Sequence, residues 1–141
     1  MFSVVVVGAD GSETSKRAVE AAAQLAAMSK GTLHVVTVYD PKDLSTRGVP
    51  TEFQSLSRDG EIDAMLQVHA FAAQKFGVEV VTHKSTGDPA DAIVKVADDL
   101  KADLIVVGNR GMQGVRRVLG SVPNSVAHQA NCSVAIIDTT S

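Results

Sequence analysis

Two short glycine-containing segments each follow an apolar run, and both are of a kind that holds phosphorylated ligands. Gly8-Ala9-Asp10-Gly11 follows Val4-Val5-Val6-Val7, and Gly108-Asn109-Arg110-Gly111 follows Leu104-Ile105-Val106-Val107. Because glycine has no Cβ, its backbone can adopt positive φ and approach a ligand closely. Successive N–H groups in such loops can point at phosphate oxygens. The alternative for each loop is a tight turn between a strand and a helix.

A third candidate is the dipeptide Gly120-Ser121, which precedes a predicted helix. Free N–H groups and the positive end of the helix dipole favour a phosphate there, and the Ser121 hydroxyl could add a hydrogen bond. The chain contains no Gly-Lys-Ser or Gly-Lys-Thr, and the first loop lacks a GxGxxG pattern. Neither a P-loop nor a dinucleotide-binding fold is therefore indicated.

Charged side chains near these loops have two interpretations each. Asp10 could accept hydrogen bonds from a ribose or help to hold Mg²⁺, or it could order its own loop by accepting backbone N–H bonds. We place the ligand role of Asp10 first. Arg110, between two glycines, could reach a phosphate or face solvent, whereas Arg116 and Arg117 are interpreted first as a solvated face.

Alternating apolar runs and helical patterns surround the three segments. Ser12 is the expected N-cap of the first helix and Gly31 its end, and Asp88 is an N-cap followed by proline at the first helical position. The predicted strands are Val4 to Val7, Leu33 to Tyr39, Val78 to Thr82, Leu104 to Val107 and Ser133 to Ile137. The predicted helices are Ser12 to Met28, a second with apolar residues from Ile62 to Phe76, a third after Asp88 and a fourth after Ser121.

This alternation predicts a single α/β domain over residues 1–141, with an open, doubly wound, five-stranded parallel sheet in the order 3-2-1-4-5. Strands 1 and 4 then flank the point where strand order reverses, so both glycine loops open onto one crevice. Residues Asp40 to Leu56 read as an irregular segment and a candidate flap near that crevice. Asp98, Asp99 and Asp103 fall at the opposite, amino end of the sheet, where a solvated surface is expected.

Composition limits the function classes. The 141 residues carry a net charge of −3, which gives no electrostatic reason to expect nucleic-acid or membrane binding. Aromatic residues make up only 4%, so the core must consist mainly of aliphatic side chains. The lone Cys132 excludes an internal disulfide and favours a reducing cytoplasm; we expect a packed thiol there. The four histidines, which are His34, His69, His83 and His128, lack metal-ligand spacing.

The second half of the chain carries a family resemblance. Gly108-Asn109-Arg110-Gly111, eight residues, and then Gly120-Ser121 resembles the nucleotide motif of ATP-binding universal stress proteins, although that motif has nine residues in the second gap. The first strand with its acidic loop, the fourth strand and the last strand are also similar. The resemblance implies an adenine nucleotide α-hydrolase-like fold.

The resemblance also implies a role for each matching residue. Ala9 and Asp10 would contact the nucleoside, and Val38 would meet the adenine through its backbone. The remaining positions would hold the ribose and phosphates: Gly108, Gly111, Gly120, Ser121 and Val122. The ligand would be ATP, with or without Mg²⁺, or cyclic AMP. A homodimer through the last strand is implied as well, which would cover an exposed edge.

Three functions follow from these features. The first is a regulatory stress-response protein that binds an adenine nucleotide with little or no turnover, since no nucleophile–base pair and no Walker lysine are apparent. The second is a dimerising interaction module without a nucleotide. The third is an adenylating enzyme of a related fold, against which the loop Ala9-Asp10-Gly11-Ser12 argues, because such enzymes carry Ser-Gly-Gly-x-Asp-Ser there.

Overall fold

The computed structural model describes residues 1–39, 54–109 and 121–139, and for 54–59 and 121 it describes the backbone only. The described elements alternate between strands and helices along the chain. The strands are β1 (Val4–Gly8), β2 (Thr32–Tyr39), β3 (Glu79–Thr86), β4 (Leu104–Gly108) and β5 (Ser133–Ile137). The helices are α1 (Glu13–Met28), α2 (Gln54–Gln74), α3 (Pro89–Leu100) and α4 (Ser121–Gln129).

The five strands form one parallel sheet in the order β3-β2-β1-β4-β5, which confirms the predicted topology. β1 lies at the centre, with Val7 opposite Val35 of β2 and Val106 of β4. Central strands buried on both faces require continuous β-branched and aliphatic runs, and β1 and β4 have such runs. The strand order therefore reverses between β1 and β4, as expected.

Helices cover both faces of the sheet, so the molecule has two apolar layers. On one face, α1 and α2 pack alanines and small aliphatic residues against odd-numbered residues of β1 such as Val5 and Val7. On the other face, α3 and α4 pack against Val6, Ile105 and Val107. Because alanine-rich helices approach a sheet closely, valine-sized side chains fill most of the space, and the aromatic residues Phe2, Tyr39 and Phe76 pack only against its margin.

The two helix starts predicted from capping residues are confirmed. The Ser12 side chain accepts a hydrogen bond from the Ser15 N–H at the start of α1. Asp88 caps α3 by accepting from the Asp91 N–H, with Pro89 in the first turn. Each cap supplies an acceptor for a helix N–H that has no partner within the helix.

Gly31 has a different role from the one predicted. The left-handed residue after α1 is Lys30, with φ of 56°, and Ser29 is the C-cap. A Cβ on Gly31 would collide with the carbonyl oxygens of Phe2 and Ser3. Glycine is needed there because the chain entering β2 passes directly against the chain entering β1, not because of a left-handed turn.

Two element boundaries differ from the sequence predictions. α2 begins at Gln54, so the irregular segment does not extend to Leu56, and residues 40–53 of the predicted flap lie outside the described residues. β3 continues to Thr86 rather than ending at Thr82, because its last residues keep pairing with β2 up to Tyr39. Helix α2 also exposes Val68, one of the apolar residues within the predicted helix.

At the amino end of the sheet, the Asp103 carboxylate joins two strands, whereas the sequence analysis expected it on a solvated surface. Asp103 accepts hydrogen bonds from the Ser3 N–H at 2.9 Å and the Val4 N–H at 3.1 Å. Its neighbour Asp99 is exposed and pairs with Lys95 one helical turn away, in line with the solvated interpretation. Asp103 therefore fastens the start of β1 to the start of β4, and the expectation of a merely solvated side chain was wrong.

Candidate functional site

The carboxyl ends of β1 and β4 place the two predicted loops next to each other. Both loops continue the sheet by one hydrogen bond each: the Ala9 N–H donates to the Val36 carbonyl at 2.9 Å, and the Asn109 N–H donates to the Ile137 carbonyl at 2.8 Å. Val38 is the next-to-last residue of β2 and lies near the same edge. The structure thus brings the described members of the predicted site to one edge of the sheet.

Ala9 and Val38 can face a ligand only through their backbones. The Ala9 side chain is buried in the layer under α1, and the Val38 side chain is buried in the layer under α3. A backbone contact is what the resemblance implies for Val38. For Ala9 the same restriction follows from its burial.

The loop after β1 is ordered by its own side chains. Asp10 Oδ1 accepts hydrogen bonds from the Ser12 N–H at 2.9 Å and the Ser12 hydroxyl at 2.6 Å. The Asp10 N–H in turn donates to Ser15 Oγ at 2.9 Å, and Gly11 between them has φ of +88°. The loop-ordering role that was the alternative for Asp10 is therefore present in the structure. The positive φ explains why glycine follows it.

The loop after β4 is fastened to the chain that leaves β5. Asn109 Oδ1 accepts from both the N–H of Thr139 at 3.0 Å and its hydroxyl at 3.1 Å. Gly108 does not have a positive φ, and a Cβ on it would lie 3.1 Å from Thr139 Cγ2. Its small size therefore makes room for Thr139. Sequence reasoning missed this pairing; the signal for it was a polar residue following each of two adjacent strands.

The phosphate half of the predicted site is described only in part. Arg110, Gly111 and Gly120 lie outside the described residues. Ser121 is the first residue of α4, as the predicted helix start requires, and Val122 is half-buried against the layer under α3 and α4. The roles of these five residues stay predictions.

A cavity of about 450 Å³ lies beside the β1 loop, between the start of α1 and the middle of α2. One wall consists of Asp10–Glu13 and Lys16, and the other of Met65, Val68 and His69. This volume falls within the range of small-molecule sites, about 300–1,000 Å³. The cavity shares Asp10 with the predicted crevice and extends from it toward α2.

His69 also lines this cavity, and the sequence analysis considered it only as a metal ligand. Its side chain is only 2% exposed, and neither ring nitrogen has a hydrogen-bond partner within the described part of the chain. Burial lowers the pKa of His69; Asp10 opposes that shift and Lys16 adds to it. His69 shares helical spacing with the buried Ile62, Leu66 and Ala73, and this pattern was the signal that could have found it.

A second histidine arrangement joins two strands. His34 Nδ1 lies 2.9 Å from His83 Nε2, although the two residues are far apart in sequence. Burial lowers the pKa of both side chains, and for His34 the neighbouring His83 lowers it further. Within residues 1–39, 54–109 and 121–139, no group of three or more His, Cys, Asp or Glu side chains could hold a metal ion. The pair is formed by the alignment of β2 and β3, which local spacing does not reveal.

Cys132 is a partly buried thiol next to the layer under α3 and α4, as predicted. Burial raises its pKa, and the carboxylates of Asp98 and Asp103 raise it further. A thiol held in its neutral form is a poor nucleophile. The side chain therefore acts as a packing group.

Comparisons with known proteins agree with this architecture. The family model described as the universal stress protein family matches residues 1–138. The chain belongs to the universal stress protein family. A universal stress protein of Mycobacterium tuberculosis is 37% identical, over 99% of this chain and 98% of the relative. One of Bacillus subtilis is 31% identical, over 97% of this chain and 99% of the relative.

Solved structures extend the comparison to the fold. A universal stress protein in complex with cAMP superposes with a TM-score of 0.78 at 35% identity, covering 99% of this chain and 98% of that chain. A universal stress protein from Archaeoglobus fulgidus superposes with a TM-score of 0.74 at 26% identity, covering 98% of this chain and 95% of that chain.

Among the described helices, none is both long and apolar enough to cross a bilayer.

Proposed function

We propose that this universal stress protein is a regulatory protein that binds an adenine nucleotide in the crevice between β1 and β4. The observation that carries the proposal is the reversal of strand order at that point, which brings Asp10 and Asn109 to one edge of the sheet. In open parallel sheets, this is where ligands bind. The whole chain acts as one domain in the proposal.

The ligand class is supported by a relative and by the motif. The 35%-identical structure was solved in complex with cAMP. Ala9, Asp10 and Val38 would contact the nucleoside, and the loop from Gly108 through Gly111 would hold the ribose and phosphate side. Gly120, Ser121, Val122 and Arg110 would complete the phosphate site, with ATP, alone or with Mg²⁺, as the other candidate ligand.

The proposed role is regulatory because the chain has little equipment for phosphoryl transfer. It has no Walker lysine, and Asp10 already binds Ser12 through one oxygen. Fast transfer requires positioned groups that stabilise charge on the transferred phosphoryl group. Slow hydrolysis of bound ATP would be incidental. The single, partly buried Cys132 fits a reducing cytoplasm.

We include a homodimer through β5 in the proposal. β5 is an edge strand, and its Ile136 side chain is 48% exposed. Pairing of two β5 strands would bury this apolar side chain and complete the open backbone edge. The same feature supports the second candidate function, a dimerising interaction module without a nucleotide.

Isothermal titration calorimetry of the nucleotide-free protein with Mg-ATP and then with cyclic AMP tests the proposal. Saturable binding of either supports the nucleotide site, and the tighter ligand is the signal. No heat from either ligand, with a folded sample, would leave the interaction module as the function. Sedimentation of the same sample tests the homodimer separately.

A glycine variant checks that binding occurs at the proposed place. Gly120→Val would block the approach of phosphate to the start of α4 and lower nucleotide affinity by about tenfold or more, while the fold stays intact. Asp99→Asn, at the exposed amino end of the sheet, is the matched control and should bind normally. Unchanged affinity in Gly120→Val would count against the site.

A further inference from the structure

The cavity between the β1 loop and α2 contains a buried polar group without a partner. Both nitrogens of His69 lack hydrogen bonds within the described part of the chain, although only 2% of the residue is exposed to solvent. An unpaired buried polar group costs free energy comparable to that of a lost hydrogen bond. Both nitrogens are closed to solvent in the empty protein, so a partner that enters the cavity would reach one of them only after the ring turns toward it.

The charges around the cavity favour a neutral partner. Asp10 and Glu13 would repel a phosphate or a carboxylate, while Lys16 would repel an ammonium group. Burial keeps His69 uncharged near neutral pH, so its ring offers one N–H donor and one nitrogen acceptor. A hydroxyl both donates and accepts, so it can satisfy a neutral imidazole and a carboxylate at once.

The position of His69 connects the cavity with the proposed nucleotide. The Asp10 carboxylate and His69 line the same cavity, and Asp10 is near enough to influence the His69 ring electrostatically. In the proposed function the nucleoside lies against Asp10. A ribose held between the loop after β4 and Asp10 would be the part of the ligand that presents neutral hydroxyls toward this cavity.

We propose that His69 recognises the 2′-hydroxyl of the ribose, which it would share with Asp10, and so makes the protein selective for ribonucleotides over deoxyribonucleotides. This proposal rests on the proposed function, because it requires a nucleotide in the crevice. It assigns His69 as a further ligand-contacting residue. Met65 and Val68 form the apolar side of the same cavity.

A thermodynamic cycle isolates the contact. The nucleotide-free full chain and His69→Leu are each titrated with ATP and with 2′-deoxy-ATP, or with cyclic AMP and its 2′-deoxy form if cyclic AMP binds tighter. We expect the wild-type chain to lose about tenfold in affinity when the hydroxyl is removed, equivalent to about 1.4 kcal/mol. His69→Leu should bind ATP more weakly and should lose less affinity than the wild-type chain when the hydroxyl is removed, because only the hydrogen bond to Asp10 then remains to be lost.

Two variants separate this effect from damage to the fold. His69→Gln keeps one donor and one acceptor and should retain part of the discrimination. Phe71→Ala lies on the same helix but is 79% exposed, so it should keep both the affinity and the discrimination of the wild-type chain. If His69→Leu fails to fold, His69→Gln and the ring resonances of His69 in the wild-type chain carry the test: ATP should shift them more than 2′-deoxy-ATP does.

The outcomes distinguish this inference from the proposed function. If the wild-type chain binds ATP but hydroxyl removal costs the same factor in His69→Leu, or nothing in either, His69 has only water as its partner and the inference is overturned, while the nucleotide site stands. If the wild-type chain binds neither ATP nor cyclic AMP, both fail together.

Discussion

Asp103 and Asp10 lie at opposite edges of the same sheet, and their carboxylates are used differently. Asp103, at the amino edge, accepts one backbone N–H with each of its oxygens and ties β1 to β4. Asp10, at the carboxyl edge, accepts both of its hydrogen bonds from Ser12 on one oxygen, beside a cavity that also contains the unpaired His69.

The glycines at the two edges repeat this difference. Gly31, at the amino edge, is packed so closely against Phe2 that no Cβ fits. At the carboxyl edge, a Cβ on Gly108 would meet side-chain atoms only, with Thr139 Cγ2 at 3.1 Å and Ala18 Cβ at 3.8 Å. The amino edge is thus built for stability, whereas the carboxyl edge keeps space and polar groups that a ligand can use. Functional sites typically leave some polar groups without hydrogen bonds and some space unfilled in this way.

The largest expected effect is that of Gly31→Ala. The added methyl would collide with backbone atoms that cannot move aside easily, so we expect a loss of about 3 kcal/mol in unfolding free energy or failure to fold. In Gly108→Ala the tightest new contact is a side-chain methyl of Thr139 at 3.1 Å, so this change should cost about 1 kcal/mol. Urea unfolding of both variants measures the difference. Equal losses would break the comparison between the two edges.

The next effect is that of Asp103→Ala. It removes the carboxylate that accepts hydrogen bonds from the Ser3 and Val4 N–H groups. The unfolding free energy should fall by about 2 kcal/mol. Nucleotide affinity should not change, because Asp103 lies at the far edge of the sheet. Asp99→Ala is the control and should cost less than about 0.5 kcal/mol, as exposed helical ion pairs do. A loss of affinity without a loss of stability in Asp103→Ala would contradict the assignment.

A smaller effect of opposite sign is expected for His69→Leu. Replacing an unpaired buried imidazole by an apolar side chain of similar volume removes the desolvation cost, so stability should stay level or rise by about 1 kcal/mol. Thermal unfolding without nucleotide measures it. A loss of more than about 2 kcal/mol would mean that His69 makes a stabilising hydrogen bond in the empty protein, contrary to the comparison.

The smallest effect is a pH dependence. Burial lowers the pKa of His69 in the folded chain, so its contribution to stability is present above about 6.5 and is lost as the pH falls below that value. Burial also lowers the pKa of His34 and of His83, so their contributions to stability change with pH in the same sense. Urea unfolding at pH 7.5 and 5.5 should show a smaller loss in His69→Leu than in the wild-type chain. Identical pH dependence in the two would contradict the burial of a neutral His69.

Much of the fold could be predicted from the sequence because its signals are local. The apolar run before Gly8, the capping residues Ser12 and Asp88, and the regular alternation of elements determine strand number, helix starts and topology. The ends of α2 and β3 could not be predicted. β3 is extended by pairing with β2, as at Thr86, and that pairing is a tertiary effect.

The site was predictable where it depends on the chain just after a strand, as at Asp10 and Gly108. It was not predictable where packing between distant elements decides. His69 reaches the cavity only because α2 packs on α1, and Asn109 meets Thr139 only because β4 and β5 pair in register. Local spacing places His69 on the buried face of a helix and Asn109 just after a strand, but it does not reveal what either side chain contacts.

The measurement that tests the central claim most directly is a titration of ¹⁵N-labelled protein with Mg-ATP or cyclic AMP, followed through backbone amide resonances. The difference between the two edges predicts large shifts at Asp10, Gly11 and Asn109 and negligible shifts at Ser3 and Gly31. Shifts concentrated at the amino edge, or absent throughout at saturating nucleotide, would contradict the claim that the carboxyl edge is the nucleotide site.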